Sequence, residues 1–518
     1  MSDLLLSIDV GTQSIRTICF DLDGSIVALE KTQIQSYYSP KPGWAEQNPE
    51  YFWKKLSDCT NAFFYKNKEL SDKIKGLSIT TQRSTLVNIE KNGNILRPAI
   101  VWPDQRRTKK YRSLGYITEL GFRLINMMET VRFAQSEAEI NWLIENEPEI
   151  VEKTHKFLFL SGYLIYKLTG LFRDSSASQV GYIPFDYKRF GWCKASNWKW
   201  KAFPVPKDQL PKLVKPTEIL GTVSHRAAVE TSLPENLPII ASGADKACEI
   251  LGAGCKNPNS VGLSFGTTTT ASVNTAKYIE IIPFIPPYPS VIPGMYSPEI
   301  QIYRGFWLVS WFKREFGVKE VMDAKLNGME PEMLFENLLD QVPPGSNGLI
   351  LQPFWSPGVK IPGPEAKGAI IGFGEVHTRA HLYRAIIEGL CYALKDGVNK
   401  IERRGGNKIV ELRVSGGGSQ SRKALQITAD IFNLPVIKPS IFETASLGAA
   451  IDTSVGLKYF LDVQTASKAM THDSETILPD KKNISVYDDL YRAVYKKMYA
   501  RLKPFYHSIR RITNYPEY

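Results

Sequence analysis

The sequence has few of the residues that build disulfide frameworks and histidine-based metal sites. It contains 6 cysteines and 6 histidines in 518 residues, with no CxxC pair and no HExxH pattern. Several cysteines stand in apolar runs such as "TICF" and "EGLCYAL", where cysteine behaves as a small hydrophobic residue. The cysteine pattern therefore predicts a reducing, cytoplasmic setting.

Long apolar runs are also absent. Every apolar stretch is well short of the roughly 20 residues that a membrane-spanning helix requires. The first apolar run has no basic region before it, so we expect a buried strand there and not a signal peptide. No GxxxxGK[ST] loop occurs, which excludes a phosphate site of the Walker type.

Acidic residues are outnumbered by basic ones, 53 to 64, and the net charge is +11. Such an excess can indicate a nucleic-acid partner. The basic residues are scattered, however, except in "RRTKKYR" (106–112) and "YKKMYARLK" (495–503), and both runs suit solvated helix faces. An anionic substrate or a nucleotide also accounts for a positive field, so we expect neither a nucleic-acid nor a membrane partner.

A repeated pattern divides the chain into two halves. "LLLSIDVGTQSIRTICFDLDG" (4–24) predicts a strand, a glycine turn rich in hydroxyls, and a second strand. "NSVGLSFGTTTTASVN" (259–274) repeats that order. Because the chain is too long for one ordinary core, we predict two related domains, at 1–250 and 251–518.

The remaining elements follow from caps and periodicity. A helix is expected from Pro49 with Asn48 as its cap, and a helical stretch over 136–170 is expected to stop at Gly170. Further strands are predicted at 74–80, 97–102, 236–245 and 409–415. Further helices are predicted at 379–406, after the glycine turn 416–421, and over the last 35 residues.

The glycine turns have the composition of phosphate sites. Glycine lets a backbone approach an anion closely, and successive N–H groups then form an anion-binding nest. A single "GTQS" after a strand is more often a plain hairpin turn. Three such turns, "DVGTQS", "FGTTTT" and "SGGGSQS", together favour phosphate binding.

Two aspartates stand beside these turns. A carboxylate next to phosphates, such as Asp9, is where Mg²⁺ binds, usually through waters. Asp245 in "SGADKA" ends a predicted strand. It either caps a helix or accepts a proton from an attacking hydroxyl in a phosphoryl transfer.

Motifs along nearly the whole chain resemble those of the FGGY carbohydrate kinases, the family of glycerol kinase, xylulokinase and ribulokinase. Their order and spacing agree throughout. They are "DVGTQSIR", "PGWAEQNPEYFW", "TTQRSTLV", "VWPDQR", "LTGLFRDSSAS", "SGADKA", "SFGTTT", "GAIIGFGEVHTRAHLYRAIIEGL", "SGGGSQSRKALQITADIFNLPV" and "ETASLGAA".

The resemblance implies an α/β protein of two actin-like (ribonuclease H-like) domains, each a mixed β-sheet flanked by helices, around a deep interdomain cleft. It implies ATP and Mg²⁺ as cofactors, Asp245 as the general base, and Asp9 with Asp245 at the metal. A sugar or polyol is expected at Gln82, Arg83, Ser84, Asp104, Asp245 and Lys246. ATP is expected at Gly11, Thr12, Gln13, Ser14, Arg16, Gly266, Thr267, Gly417, Gly418 and Ser421. A homodimer is left open.

The substrate motifs depart from both named activities. Gln82 and Arg83 match the glycerol kinase pattern, which continues with Glu where this chain has Ser84. Glycerol kinases usually have Gln after the base, where this chain has Lys246, and xylulokinases usually have Met-His at 83–84. A longer polyol, a ketose or a sugar acid is expected. Lys246 either pairs with a substrate carboxylate or faces solvent or a helix end.

A further departure lies in "YRGFWLVSWFKREFG" (303–317). Phe306 occupies the place of a family glycine, with Gly305 one residue earlier. Phe306 and Trp307 either reshape the adenine or interdomain wall or are core aromatics. Two alternatives to a kinase remain open at this point, namely a non-kinase actin-like ATPase and a catalytically silent regulator on the same fold.

Overall fold

The first half of the chain forms a six-stranded mixed sheet. The computed structural model describes residues 3–283, 285–329, 331–356, 358 and 362–515. The two strands Leu4–Val10 and Ile74–Thr81 run parallel at the centre. From one edge to the other, the strands are Ile219–Thr222, Pro238–Ile240, Ile74–Thr81, Leu4–Val10, Ser14–Phe20 and Ile26–Gln33.

The second half repeats this sheet. From one edge to the other, its strands are Glu299–Ile302, Thr269–Ser272, Ser260–Phe265, Glu411–Ser415, Val436–Pro439 and Asp473–Ile477. Both sheets have two antiparallel pairings at the hairpin, then two parallel pairings, then an antiparallel edge strand. The prediction of two related halves is confirmed.

Small sheets extend the first half, and two lie in the second. A four-stranded sheet has the order Glu46–Gln47, Ala99–Ile100, Leu86–Ile89 and Lys156–Phe159. The two-stranded pairs are Phe185–Asp186 with Gly191–Trp192, Lys212–Val214 with Arg173–Ser175, Tyr288–Pro289 with Tyr296–Ser297, and Ile350–Gln352 with Ala369–Ile371.

Helices cover the sheets, so that the central strand Leu4–Val10 is buried at every position. Those before residue 253 are Pro49–Lys66, Tyr116–Leu124, Met128–Glu137, Glu139–Asn146, Pro148–Lys153, Leu160–Thr169, Lys199–Ala202, His225–Thr231 and Asp245–Gly252. Those after it are Trp307–Phe316, Val318–Asn327, Pro331–Asp340, Arg379–Gly405, Arg422–Phe432, Thr444–Gly456, Val463–Met470, Lys481–Leu490 and Lys496–Thr513. In the part of the chain that the structure describes, no helix has both the length and the apolar character that a membrane span needs.

The predicted helix caps are present. The Asn48 side chain accepts a hydrogen bond from the backbone N–H of Glu50, with Pro49 in the first turn of the helix. Gly170 ends a helix in the left-handed conformation, with φ of 74°. The prediction of one helical stretch over 136–170 was wrong. Ala138 and Glu147 leave the helical conformation, and residues 156–159 form a strand. A short apolar run such as "KFLF" fits either periodicity.

Two further predictions need correction in detail. The strand expected over 97–102 is reduced to Ala99–Ile100. The C-terminal helix is interrupted by a π turn over Tyr491–Tyr495, between Lys481–Leu490 and Lys496–Thr513.

Two helices cross beneath the cleft and join the halves. Thr444–Gly456 packs against Asp245–Gly252 and against the two central strands of the first sheet. A Cβ on Gly252 would overlap the carbonyl oxygen of Thr444, and a Cβ on Gly448 would overlap that of Cys248. The close crossing therefore requires glycine on both helices. A division of the chain between residues 250 and 251 stays a prediction.

Candidate active site

Residues from both halves line a cavity of about 1320 Å³. It runs along the hairpin ends of the two sheets, where the glycine turns lie. Part of the predicted site lines it, namely Thr12, Gln82, Arg83, Ser84, Asp104, Asp245, Lys246, Gly266 and Thr267. The other predicted residues lie outside that lining, namely Asp9, Gly11, Gln13, Ser14, Arg16, Gly417, Gly418 and Ser421.

The first glycine turn is closed by its own backbone. The N–H of Gly11 donates to the carbonyl oxygen of Ser14 at 3.1 Å, and the Gln13 side chain between them is exposed. The Thr12 hydroxyl donates to Gln82 Oε1 at 3.2 Å and accepts from Trp102 Nε1 at 3.2 Å. The turn is therefore tied to the segment after the central strand.

Asp9 lies at the end of its strand beneath this turn. Arg16 Nη1 donates to Asp9 Oδ2 at 2.8 Å, and Arg16 Nε lies 3.2 Å from Glu443 Oε2 of the second half. Burial raises the pKa of Asp9 to about 6, the Arg16 guanidinium opposes that rise, and the nearby Asp245 carboxylate adds to it. Two carboxylates that repel each other so close together suit a divalent cation.

Asp245 is the first residue of its helix and faces the cavity between the two sheets. Its Oδ1 accepts from the backbone N–H of Lys246 at 2.7 Å. Burial raises the pKa of the carboxyl, while Lys246 and Arg83 oppose that rise. No group of three or more His, Cys, Asp or Glu side chains among the described residues is arranged to hold a metal. A cation at Asp9 and Asp245 would take its other ligands from phosphates and water.

Lys246 is part of the cleft wall. Its Nζ donates to Glu249 Oε2 at 2.7 Å and to Ser264 Oγ at 2.7 Å, and Ser415 Oγ donates to Glu249 Oε1 at 2.6 Å. Burial alone would raise the pKa of Glu249, but the Lys246 ammonium holds it below its usual value. Lys246 therefore bridges the two halves, and its charge already has a carboxylate partner.

Arg83 reaches across the cleft in the same way. Its Nη2 donates to Glu299 Oε1 at 3.0 Å, and its guanidinium lies 5.1 Å from the centre of the Tyr288 ring. Ser84 has a φ of 51°, and its Oγ donates to the carbonyl oxygen of Val180 at 2.9 Å. A left-handed serine is strained backbone. Gln82 is 3 % exposed, and its Nε2 has no hydrogen-bond partner among the described residues.

Asp104 is held by a fork of hydrogen bonds. Arg106 donates from Nε to Asp104 Oδ1 at 2.8 Å and from Nη2 to Oδ2 at 2.7 Å. The Arg106 guanidinium also lies 2.8 Å from Glu46 Oε1 and 3.9 Å from the Trp44 ring centre. Asp104 thus lines the cavity as part of a rigid network, with most of its acceptor capacity in use.

The second glycine turn depends on a close approach by another loop. The backbone N–H groups of Phe306 and Trp307 donate to the carbonyl oxygens of Gly266 and Thr267, at 3.1 and 3.4 Å. A Cβ on Gly305 would overlap the Thr269 hydroxyl, so this loop position requires glycine.

The third glycine turn, at 416–421, is covered by Phe306. A Cβ on Gly418 would overlap the Phe306 ring, whereas Gly417 has open space beside it. Phe306 stacks on Phe265 with ring centres 4.5 Å apart. Ser421 caps the next helix by accepting from the N–H of Ala424, and it donates to Glu336.

Family models match both halves of the chain. Residues 4–252 match the FGGY family of carbohydrate kinases, N-terminal domain, and residues 261–457 match the C-terminal domain of the same family. The chain belongs to the FGGY family of carbohydrate kinases. It is therefore a phosphotransferase that acts on a hydroxyl of a carbohydrate, and kinases of this family use ATP.

Individual relatives agree with this assignment. The chain is 28% identical to an uncharacterized sugar kinase of Escherichia coli K12, over 95% of this chain and 93% of the relative. It is also 28% identical to a xylulose kinase of Lactococcus lactis, over 98% of each chain. Among solved structures, a gluconate kinase of Lactobacillus acidophilus shares the fold with a TM-score of 0.82 at 20% identity, covering 98% of this chain and 100% of that one.

Some residues of the cleft carry no signal that single-sequence reasoning can use. Trp102 lies within the recognised "VWPDQR" motif, so its place near the site was foreseeable. Glu443 likewise begins the recognised "ETASLGAA" motif, whereas Glu249 and Glu299 give no local pattern. Their importance depends on which cation tertiary folding brings beside them.

Proposed function

We propose that the chain transfers the γ-phosphate of ATP to a hydroxyl of a sugar, ketose or polyol, with Asp245 as the general base and Mg²⁺ at Asp9 and Asp245. The observation that supports this most strongly is the shared cavity. Asp245, Thr12 of the first phosphate turn, Gly266 and Thr267 of the second, and the segment 82–84 all line it.

The chain's own groups would divide the work as follows. Asp245 accepts the proton of the attacking hydroxyl as the new P–O bond forms and the bond between the γ-phosphorus and the β–γ bridging oxygen breaks. The turns at 11–14 and 266–267 position the phosphates through backbone N–H groups. Mg²⁺ would neutralise charge on the transferred phosphoryl group. Closure of the two halves excludes water, which would otherwise be the acceptor.

The charges of the site favour a neutral substrate over a sugar acid. Arg83 and Lys246 both line the cavity, but each is paired with a buried glutamate, Glu299 and Glu249 respectively. A substrate carboxylate would have to displace one of these partners and leave it buried without a counter-charge. Hydroxyl groups can instead use the unpartnered Gln82 Nε2 and the open lone pairs of the carboxylates.

A substrate panel tests the proposal. Purified chain with ATP and Mg²⁺ is incubated with pentuloses, pentitols, glycerol, erythritol and aldonates, and ADP release is measured. We expect one or more neutral compounds to raise ADP release well above the background hydrolysis. If none does, the proposed activity is wrong, and a preference for aldonates would contradict only the charge argument.

The base assignment has its own test. With the best substrate of the panel, Asp245→Asn should lower turnover by at least about a hundredfold, the scale of losing a general base. ATP binding, measured by calorimetry, should be largely retained because the phosphate turns are untouched. Normal turnover in this variant would contradict the role given to Asp245.

Lys246 is tested by the ranking of substrates. Lys246→Gln keeps a polar side chain but removes the charge that balances Glu249. If Lys246 lines the sugar site, the order of kcat/KM across the panel should change. An unchanged order would place Lys246 outside substrate recognition and leave it as a link between the halves.

A further inference from the structure

The cavity does not end at the proposed catalytic groups. Its lining continues past the edge strand Glu299–Ile302 to a rear compartment between the helices Arg379–Gly405 and Lys496–Thr513. Gln352 and Phe354 lie on its floor. On the edge strand, Glu299 accepts a hydrogen bond from Arg83 in the cleft, and the next residue, Ile300, packs against Gly397 of the first of these helices.

Basic residues at helical spacing line this compartment from two sides. Lys400 and Arg403 project from one helix, three residues apart, and Lys496 and Lys503 project from the other, seven apart. Both spacings keep side chains on one helix face. The run "YKKMYARLK", which sequence alone assigns to a solvated face, thus directs part of its charge into a cavity.

The positive charges exceed the carboxylates that line the same compartment. Lys400 pairs with Asp396 at 2.7 Å, and Lys503 lies 3.4 Å from Glu365. The side chains of Arg403 and Lys496 make no hydrogen bond or ion pair within the described ranges. Glu280, a further carboxylate in the cavity lining, accepts a hydrogen bond from the Tyr278 hydroxyl at 3.0 Å.

A buried donor without an acceptor lies in the same wall. Tyr495 is 4 % exposed and lines the compartment, and its hydroxyl has no hydrogen-bond partner among the described residues. A buried hydroxyl without a partner is costly. Tyr495 also ends the π turn, a distortion that often marks functional positions in helices.

We propose that this rear compartment binds a small molecule that carries two or more phosphate groups, at a site separate from the catalytic cleft. Arg403 and Lys496 supply unpaired charge, arginine presents the forked donors that match phosphate oxygens, and Tyr495 supplies a buried hydroxyl. The proposal goes beyond the kinase activity and does not depend on which sugar is phosphorylated.

The test is calorimetric binding of inorganic pyrophosphate to the full chain, with the cleft saturated by a non-hydrolysable ATP analogue. Saturable binding of one pyrophosphate per chain is expected. The double variant Arg403→Gln with Lys496→Gln should weaken it by at least about tenfold, since two charge-assisted contacts are lost. Both residues are exposed and make no ion pair, so the variant should fold normally.

A matched control removes the same charge elsewhere. Lys212→Gln with Lys215→Gln changes two exposed lysines that do not line the cavity, and it should change pyrophosphate affinity by less than about twofold, because screened distant charges contribute little. Absence of saturable binding to the unmodified chain, or an equal loss in both double variants, would overturn the proposal. The double variant Arg403→Gln with Lys496→Gln is also assayed for sugar phosphorylation with the substrate panel. Retained phosphorylation together with lost pyrophosphate binding separates the rear compartment from the kinase activity.

Discussion

The carboxyl of Asp452 should make the chain less stable as the pH rises. Asp452 lies on the crossing helix of the second half, Thr444–Gly456, and is fully buried. Its Oδ2 accepts from Ser242 Oγ at 2.6 Å, three residues before Asp245, and its Oδ1 has no hydrogen-bond partner among the described residues. Burial raises the pKa of this carboxyl well above its usual value.

The sign of the effect follows from proton binding. Between the ordinary carboxyl pKa of the unfolded chain and the raised pKa of the folded one, the folded state holds one more proton. The stabilising contribution of this group is therefore complete at acid pH and is lost as the pH rises towards the folded pKa. Between these two pKa values the slope is about 1.4 kcal/mol per pH unit.

Asp452→Asn isolates this contribution, because the amide keeps the shape and can accept from Ser242 but does not titrate. Urea unfolding of both proteins at pH 5, 6, 7 and 8 should show the free energy of unfolding of the variant rising relative to that of the wild type as the pH rises towards the raised pKa of Asp452. Any cost of the unpaired amide N–H, about 1–3 kcal/mol, is the same at every pH. Asp489→Asn, an exposed carboxyl on the helix Lys481–Leu490, controls for the change in net charge. Parallel stability profiles for Asp452→Asn and the wild type would refute the reasoning.

Two further substitutions probe the turn and the wall of the cleft. Gly305→Ala should lower the free energy of unfolding by about 1–3 kcal/mol or more and weaken ATP binding, because the new methyl overlaps the Thr269 hydroxyl. Gly121→Ala, where the new methyl meets open space, is the control. Equal unfolding midpoints for the two variants would contradict the steric argument. Arg106→Lys should destabilise the fold by about 2 kcal/mol, the scale of a hydrogen bond to a charged group, because an ammonium cannot reproduce the forked pairing with Asp104 or the stacking on Trp44. Unchanged thermal unfolding would show that this network contributes little.

Much of the architecture could be read from local sequence. The strand at 4–10 is mostly apolar and is buried at every position, and "NPEYFW" carries the cap and the proline of a helix start. The ends of the helices and strands were predicted less well than their existence. The stretch 136–170 includes parts of four helices and one strand. No glycine or proline marks the break between two of these helices at Ala138. The edge partner of a four-residue apolar strand such as 156–159 is distant in sequence, at 86–89.

The sequence by itself determined the chemistry of the turns, the pair of aspartates and the family, since these depend on residues that are neighbours along the chain. Only the tertiary structure decided which charges meet. Arg83 with Glu299, Lys246 with Glu249 and Ser264, and Arg16 with Glu443 join segments brought together by the sheets and by the crossing helices. Coulomb energy depends on distance and burial, and neither quantity is encoded locally. The same holds for "YKKMYARLK", a surface run by composition that folding turns towards a cavity.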